Sequence, residues 1–173
     1  LRDGDLFNII AYDSAIESCH PELQQFNEEA HQKALGFIAG IYAGGATNIE
    51  GALNRALDMF ETTDQPNFVV FLTDGRPTAG ETNESKIVSQ IHEANNQRVR
   101  LISFGVGYDV NSRLLDRLSR ENFGQTEYVR PNDDIETHIS RLYRKISTPI
   151  MTDVLISFEM DTLSNGQAQV TNR

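Results

Sequence analysis

Short apolar runs alternate along this chain with longer stretches in which apolar residues recur every three or four positions. That alternation confines the chain to strand–helix–strand crossovers and a mainly parallel sheet. The most apolar run, Phe68-Val69-Val70-Phe71-Leu72, reads as a strand covered on both faces. It stops abruptly at Thr73-Asp74-Gly75. Upstream, residues 6–12 read as one buried strand closed by the turn chemistry of Asp13-Ser14, and a brief edge strand is expected between Ala15 and Leu23, ended by Pro21. Helical spacing of Ala30, Ala34, Phe37, Ile38 and Ile41 predicts a helix from Asn27, stopped by Gly44-Gly45. Thr47-Asn48-Ile49-Glu50 has the form of a capping box, with Thr47 as cap and Ile49, Leu53, Ala56, Leu57 and Phe60 as the apolar face behind it.

Downstream the pattern continues with a helix over 84–96, a strand over 99–104, a helix over 110–120, a weaker strand over 127–130 and a helix over 133–146. Ile135, Ile139, Leu142 and Ile146 share one face of that last helix. The expected fold class is α/β, a three-layer, doubly wound arrangement around a mainly parallel sheet. After Pro149 the pattern changes, and residues 153–159 read as a strand with no helix before it. Residues 1–148 are therefore expected to form one domain, with 149–173 opening a β-rich module.

Composition narrows the function classes. The 173 residues, 39% of them hydrophobic, suffice for one domain with a real core. With 15 basic and 25 acidic residues the formal net charge is -10, which repels nucleic-acid backbones and anionic lipid surfaces. The same charge suits a protein that handles cations, although an acidic solvated surface is the commoner explanation. The single cysteine, Cys19, excludes an internal disulfide and a cysteine-based zinc site and leaves the compartment open. No apolar run approaches the roughly 20 residues of a membrane helix. The chain opens at Leu1 without a leader and reads as an excised segment whose targeting signal is not visible. His20, His31, His92 and His138 show no ligand spacing and read as ordinary surface or helix residues. Gly105-Val106-Gly107 lacks the third glycine of a dinucleotide loop, and Asp109 and Asn111 read as caps of the next helix. Asn83-Glu84-Ser85 is a glycosylation sequon, meaningful only in a secretory eukaryote.

In open parallel sheets, ligands bind beyond the carboxyl ends of the strands. Asp74 stands there, directly after the apolar strand, and Thr47 lies in the glycine-bounded loop of residues 44–48. A carboxylate and a hydroxyl are hard donors that suit Mg²⁺ or Mn²⁺. Local pattern leaves alternatives open for both. On local pattern alone, Thr47 reads as a helix cap before it reads as a ligand. An aspartate at a strand end also occurs in P-loop ATPases, whose phosphate loop is absent here, and in phospho-acceptor domains.

Gly44-Gly45-Ala46-Thr47-Asn48-Ile49, the segment Phe71-Leu72-Thr73-Asp74-Gly75-Arg76-Pro77-Thr78-Ala79-Gly80-Glu81-Thr82-Asn83, and Phe104-Gly105-Val106-Gly107-Tyr108-Asp109-Val110-Asn111 resemble the von Willebrand factor type A domain of inter-alpha-trypsin inhibitor heavy chains. The resemblance runs from about Leu6 to Asp153. It implies a metal-ion-dependent adhesion site fed by three loops, in which Thr47 matches the second-loop threonine and Asp74 the third-loop aspartate. The first element, D-x-S-x-S, is absent: Asp13-Ser14 is followed by Ala15-Ile16 and ends a different strand. The family's first strand and helix would precede Leu1, so the metal site is expected to be incomplete, with weak or no Mg²⁺ binding by this chain.

The family's first strand lies mid-sheet, between the strands at 6–12 and 68–73. Its absence is expected to be met by direct pairing of those two strands, by a strand borrowed from another copy, or by the C-terminal segment. The resemblance further implies a binding module rather than an enzyme, secreted or at the cell surface, whose protein ligand offers an acidic side chain to the metal. Membrane insertion is not expected. The alternatives are a metal-independent intracellular scaffold and, more remotely, a phosphohydrolase with Asp74 as nucleophile, for which no general acid or lysine is visible near the strand ends.

Overall fold

The computed structural model describes residues 1–42, 44–61, 65–146, 160–162 and 168–170, which fall into two compact units, Leu1–Ile135 and Glu136–Arg173. The first unit begins with two antiparallel ladders. Strand β1 (Leu6–Phe7) pairs with β4 (Gln24–Gln25), and β2 (Ile10–Tyr12) pairs with β3 (Ile16–Ser18), Tyr12 lying opposite Ile16. The single strand expected over 6–12 is thus broken at Asn8-Ile9. The Asn8 side chain causes the break by capturing backbone groups of a neighbouring segment. Its Nδ2 donates to the carbonyls of His20 (2.8 Å) and Glu22 (3.1 Å), and its Oδ1 accepts the N–H of His20 (3.1 Å) and of Ile9 (2.8 Å).

Helix α1 (Glu28–Ala39) starts at the cap Asn27, whose Oδ1 accepts the Ala30 N–H at 2.8 Å. It ends at Gly40, before the expected glycine pair, and leaves Ile41 outside the helix. Helix α2 (Ile49–Leu57) is capped by Asn48, not Thr47. Asn48 Oδ1 accepts the Gly51 N–H at 3.0 Å, and the Glu50 carboxylate takes a hydrogen bond from Asn54 instead of folding back on the cap. The capping-box reading of Thr47 is therefore corrected by one residue, which frees the threonine hydroxyl from that duty.

The central sheet is parallel and consists of β5 (Phe68–Thr73), β6 (Arg100–Val106) and β7 (Thr126–Val129), in that order. Phe68 pairs with Arg100 and Thr73 with Gly105, and Ser103 pairs with Thr126 on the other side. Helices α3 (Glu84–Ala94) and α4 (Ser112–Glu121) connect these strands. Both crossovers step the same way, so α3 and α4 pack side by side, with α4 against β6. Asn83 caps α3 and Asn111 caps α4, the latter as expected. The core joins Ile49 and Leu53 of α2, Ile87, Val88 and Ile91 of α3, Leu114, Leu115 and Leu118 of α4, and Phe71 and Leu101 of the sheet.

On the opposite sheet face Ile102 and Phe104 are buried, but Val70 and Leu72 are 42% and 43% exposed. The expectation that residues 68–72 are covered on both faces is therefore overturned. That part of β5 is only partly covered, and along its outer edge β5 has no strand neighbour among the described residues. Direct pairing of β2 with β5 does not occur either: among the described residues β2 pairs with β3.

In the second unit, α5 (Ile135–Ile146) matches the last expected helix, and β8 (Met160–Thr162) pairs antiparallel with β9 (Ala168–Val170). The strand expected over 153–159 and the boundary expected at 148 lie outside the described residues. Among the described residues no helix is long and apolar enough to cross a membrane.

Candidate functional site

At the carboxyl end of β5 the chain leaves the sheet through Thr73, which is buried, into Asp74, which is exposed. A β-carbon placed on Gly75 would lie 3.8 Å from Thr47 Oγ1. The structure thus brings the Thr47 hydroxyl beside the residue that follows Asp74. The two side chains singled out from the sequence stand at one rim.

The Thr47 loop is held there from both sides. The Thr47 N–H donates to Thr78 Oγ1 at 2.8 Å, and the N–H groups of Thr78 and Ala79 donate to the Thr47 carbonyl at 2.9 and 3.2 Å. From the other side, the Asn48 N–H donates to the Asp13 carbonyl at 3.0 Å and the Ala46 N–H to Ser14 Oγ at 3.1 Å. Two glycines make this closeness feasible. Gly45 (φ +80°) could not carry a β-carbon without meeting Asp13 Oδ2 at 2.6 Å. At Gly80 (φ +66°), a β-carbon would run into the Asn48 amide.

Asp13 and Ser14 were set aside in the sequence because they end a different strand from the one that would carry D-x-S-x-S. They are nonetheless the turn of the β2–β3 hairpin and the brace of the Thr47 loop. The only sequence signal for that role was the turn chemistry itself. Which loop the turn would meet is a tertiary fact.

Tyr12 links the hairpin to the sheet without strand pairing. Its ring stacks on Phe71 with centroids 5.6 Å apart, and its hydroxyl donates to the Leu72 carbonyl at 2.9 Å. Burial chiefly pushes the Tyr12 hydroxyl up to about 12; a hydrogen bond with Thr73 opposes the rise, and the Asp74 charge adds to it. Asp74 therefore acts electrostatically on the same corner that Tyr12 closes. Tyr12→Phe keeps the stack and loses the link to Leu72, so chemical denaturation should show a loss of about 1 kcal/mol. A stability equal to that of the parent would show the bond to be idle.

Near the end of β6, Gly105 lies against Val110 and the Tyr128 ring, which leaves no room there for a side chain. Asn111 Nδ2 donates to Glu84 Oε1 at 2.9 Å, tying the start of α4 to the start of α3. Among the described residues no three histidine, cysteine or acidic side chains converge on a point that could hold a cation. The rim holds the exposed Asp74 and, beside Gly75, the Thr47 hydroxyl.

A family model for the von Willebrand factor type A domain matches residues 1–128. The chain belongs to the von Willebrand factor type A family. This type A domain is 30% identical over 179 residues to human inter-alpha-trypsin inhibitor heavy chain H4, covering 99% of the chain and 19% of that relative. It therefore spans about a fifth of the length of the curated relatives it matches. Among solved structures, a von Willebrand factor type A protein from Catenulispora acidiphila superposes with a TM-score of 0.70 at 16% identity, over 85% of this chain and 34% of that one. Proximal thread matrix protein 1 from the mussel byssus, in a form with a zinc-occupied MIDAS motif, superposes with a TM-score of 0.57 at 19% identity, over 83% of this chain and 35% of that one. These structural likenesses establish the α/β type A fold.

Proposed function

We propose that this domain is an adhesion-type protein-binding module, not an enzyme, whose rim contributes Thr47 and Asp74 to a divalent-cation site completed elsewhere in the parent polypeptide. The observation that supports this reading is the placement of Thr47 Oγ1 beside Gly75, at the carboxyl end of the chain's most apolar strand. Mg²⁺ or Mn²⁺ is the fitting ion, because both donors are hard oxygens. An acidic side chain of a protein ligand would then complete the coordination sphere. The heavy-chain likeness favours a secreted or cell-surface parent, with residues 149–173 opening a β-rich module.

With its partial donor set, this chain alone should bind Mg²⁺ weakly or not at all; a micromolar dissociation constant by calorimetry would overturn the partial-site reading. In the full-length parent, Asp74→Ala should abolish metal-dependent ligand binding, and unchanged ligand affinity in EDTA would sink the metal-dependent reading. That second result would favour the metal-independent scaffold. The open β5 edge gives a further element of the proposal, in which a strand exchanged with a second copy pairs along it. A monomer by light scattering at high protein concentration would count against that exchange.

A further inference from the structure

The sequence offers no reason to single out His20, yet it is 7% exposed, and its environment is hostile to a second proton. Its Nδ1 lies 3.3 Å from the Lys33 ammonium. Lysine only donates, so Nδ1 is the acceptor and the neutral ring carries its proton on Nε2. Nε2 is itself buried and has no hydrogen-bond partner among the described residues. A proton added at Nδ1 would face the ammonium directly, and the Nε2 proton of the resulting cation would still find no acceptor.

Of the charged groups around the ring, Lys33 is the one that acts on its protonation. Lys33 and Glu29 of α1 line the same cleft of about 400 Å³ together with the uncharged Gln24 and Gln25 of β4. From α2, Arg55 holds the segment on either side of the histidine, donating to the Pro21 carbonyl at 2.6 Å and to Ser18 Oγ at 3.2 Å. Asn8, between β1 and β2, is uncharged.

His20 is also structurally placed to transmit a change. Its backbone N–H and carbonyl are both gripped by Asn8, and the adjacent Cys19 N–H donates to the Ile9 carbonyl at 2.8 Å. These bonds close the base of the β2–β3 hairpin. The tip of the same hairpin is Asp13-Ser14, which accepts the N–H groups of Asn48 and Ala46 and so holds the Thr47 loop.

We infer that the β2–β3 hairpin is an acid-released latch: protonation of His20 frees the hairpin's base, and with it the Asp13-Ser14 turn that keeps the Thr47 loop in place. Burial, and then the Lys33 charge, hold the His20 pKa below its ordinary value of 6.5. The opened hairpin therefore binds the proton before the closed one as pH falls. The latch is at full strength above the ordinary histidine range and weakens as pH drops below it, toward the depressed value of the closed form. That acidity thereby releases a bound ligand rests on the adhesion reading of the rim; the latch itself does not.

The test uses the full chain, labelled with ¹⁵N, with no metal or ligand present, so that its outcome is separate from that of the adhesion reading. Amide exchange is compared at about pH 7.5 and about pH 5 after correction for intrinsic exchange, while each histidine ring is titrated by NMR. The Asn48 and Ala46 amides should lose protection by about tenfold more than the core Leu118 amide, with His20 titrating below the ordinary histidine value. His20→Gln should abolish that selective loss. Lys33→Met, a change at an exposed position, should shrink it, and decides the matter if the glutamine variant fails to fold. Parallel loss at Asn48 and Leu118, an ordinary His20 titration, or an undiminished selective loss in Lys33→Met would each overturn the latch.

Discussion

Gly124→Ala should lower the unfolding free energy by about 3 kcal/mol or more, at the upper end of what overpacking costs. A β-carbon there would sit 1.8 Å from the Leu101 carbonyl oxygen, and a backbone carbonyl inside a sheet has no rotamer by which to withdraw. The position is fixed by its neighbours. The Gly124 N–H donates to Ser119 O at 2.9 Å, Phe123 adopts the left-handed conformation (φ 58°), and the Leu101 N–H donates to Asn122 O at 3.0 Å, so the turn after α4 lies directly on β6. Asn122, fully buried, secures the same turn by accepting from Asn95 Nδ2 and donating to the Leu118 carbonyl. Relief would require the whole turn to lift from the sheet and abandon those bonds. Urea unfolding followed by circular dichroism measures the loss, and a midpoint within error of the parent would refute the close approach.

Ile49→Ala should cost about 2–5 kcal/mol, the range for emptying a fully buried aliphatic site. Ile49 has no exposed surface and anchors the first turn of α2 in the core with Leu53. It follows the rim loop directly, so its loss should also loosen Thr47: amide exchange at Ala46 and Asn48 should accelerate along with global unfolding. Ile49→Val, removing one methylene, should cost only about 0.5–1.5 kcal/mol. Equal costs for the two variants would show that the site collapses on itself and that the core does not depend on this contact.

Much of this molecule was legible in the order of its residues. Periodicity located the five helices and the three parallel strands of the described residues, because burying one face of a helix or a strand imposes its repeat on the sequence directly. Element ends were less legible. Asn48 takes the cap expected of Thr47 by a side-chain hydrogen bond, and Asn8 breaks a strand by reaching carbonyls twelve and fourteen positions away. An asparagine in an apolar run does not announce which distant carbonyl it will meet.

The rim shows the same division. That Asp74 ends an apolar strand, and that Thr47 sits in a glycine-bounded loop, follows from local sequence alone. Their nearness does not. It required the Asp13-Ser14 turn and Thr78 to hold the Thr47 loop from opposite sides, through bonds spanning more than thirty positions. His20 reads as an unremarkable residue until the fold buries it beside Lys33. What the sequence determined by itself was the set of elements, their α/β class and the residue types available at each strand end, since these depend on short-range periodicity and turn chemistry. The tertiary structure alone decided which loops meet, which face of β5 stays open and which histidine is buried, because each depends on long-range contacts that no local pattern encodes.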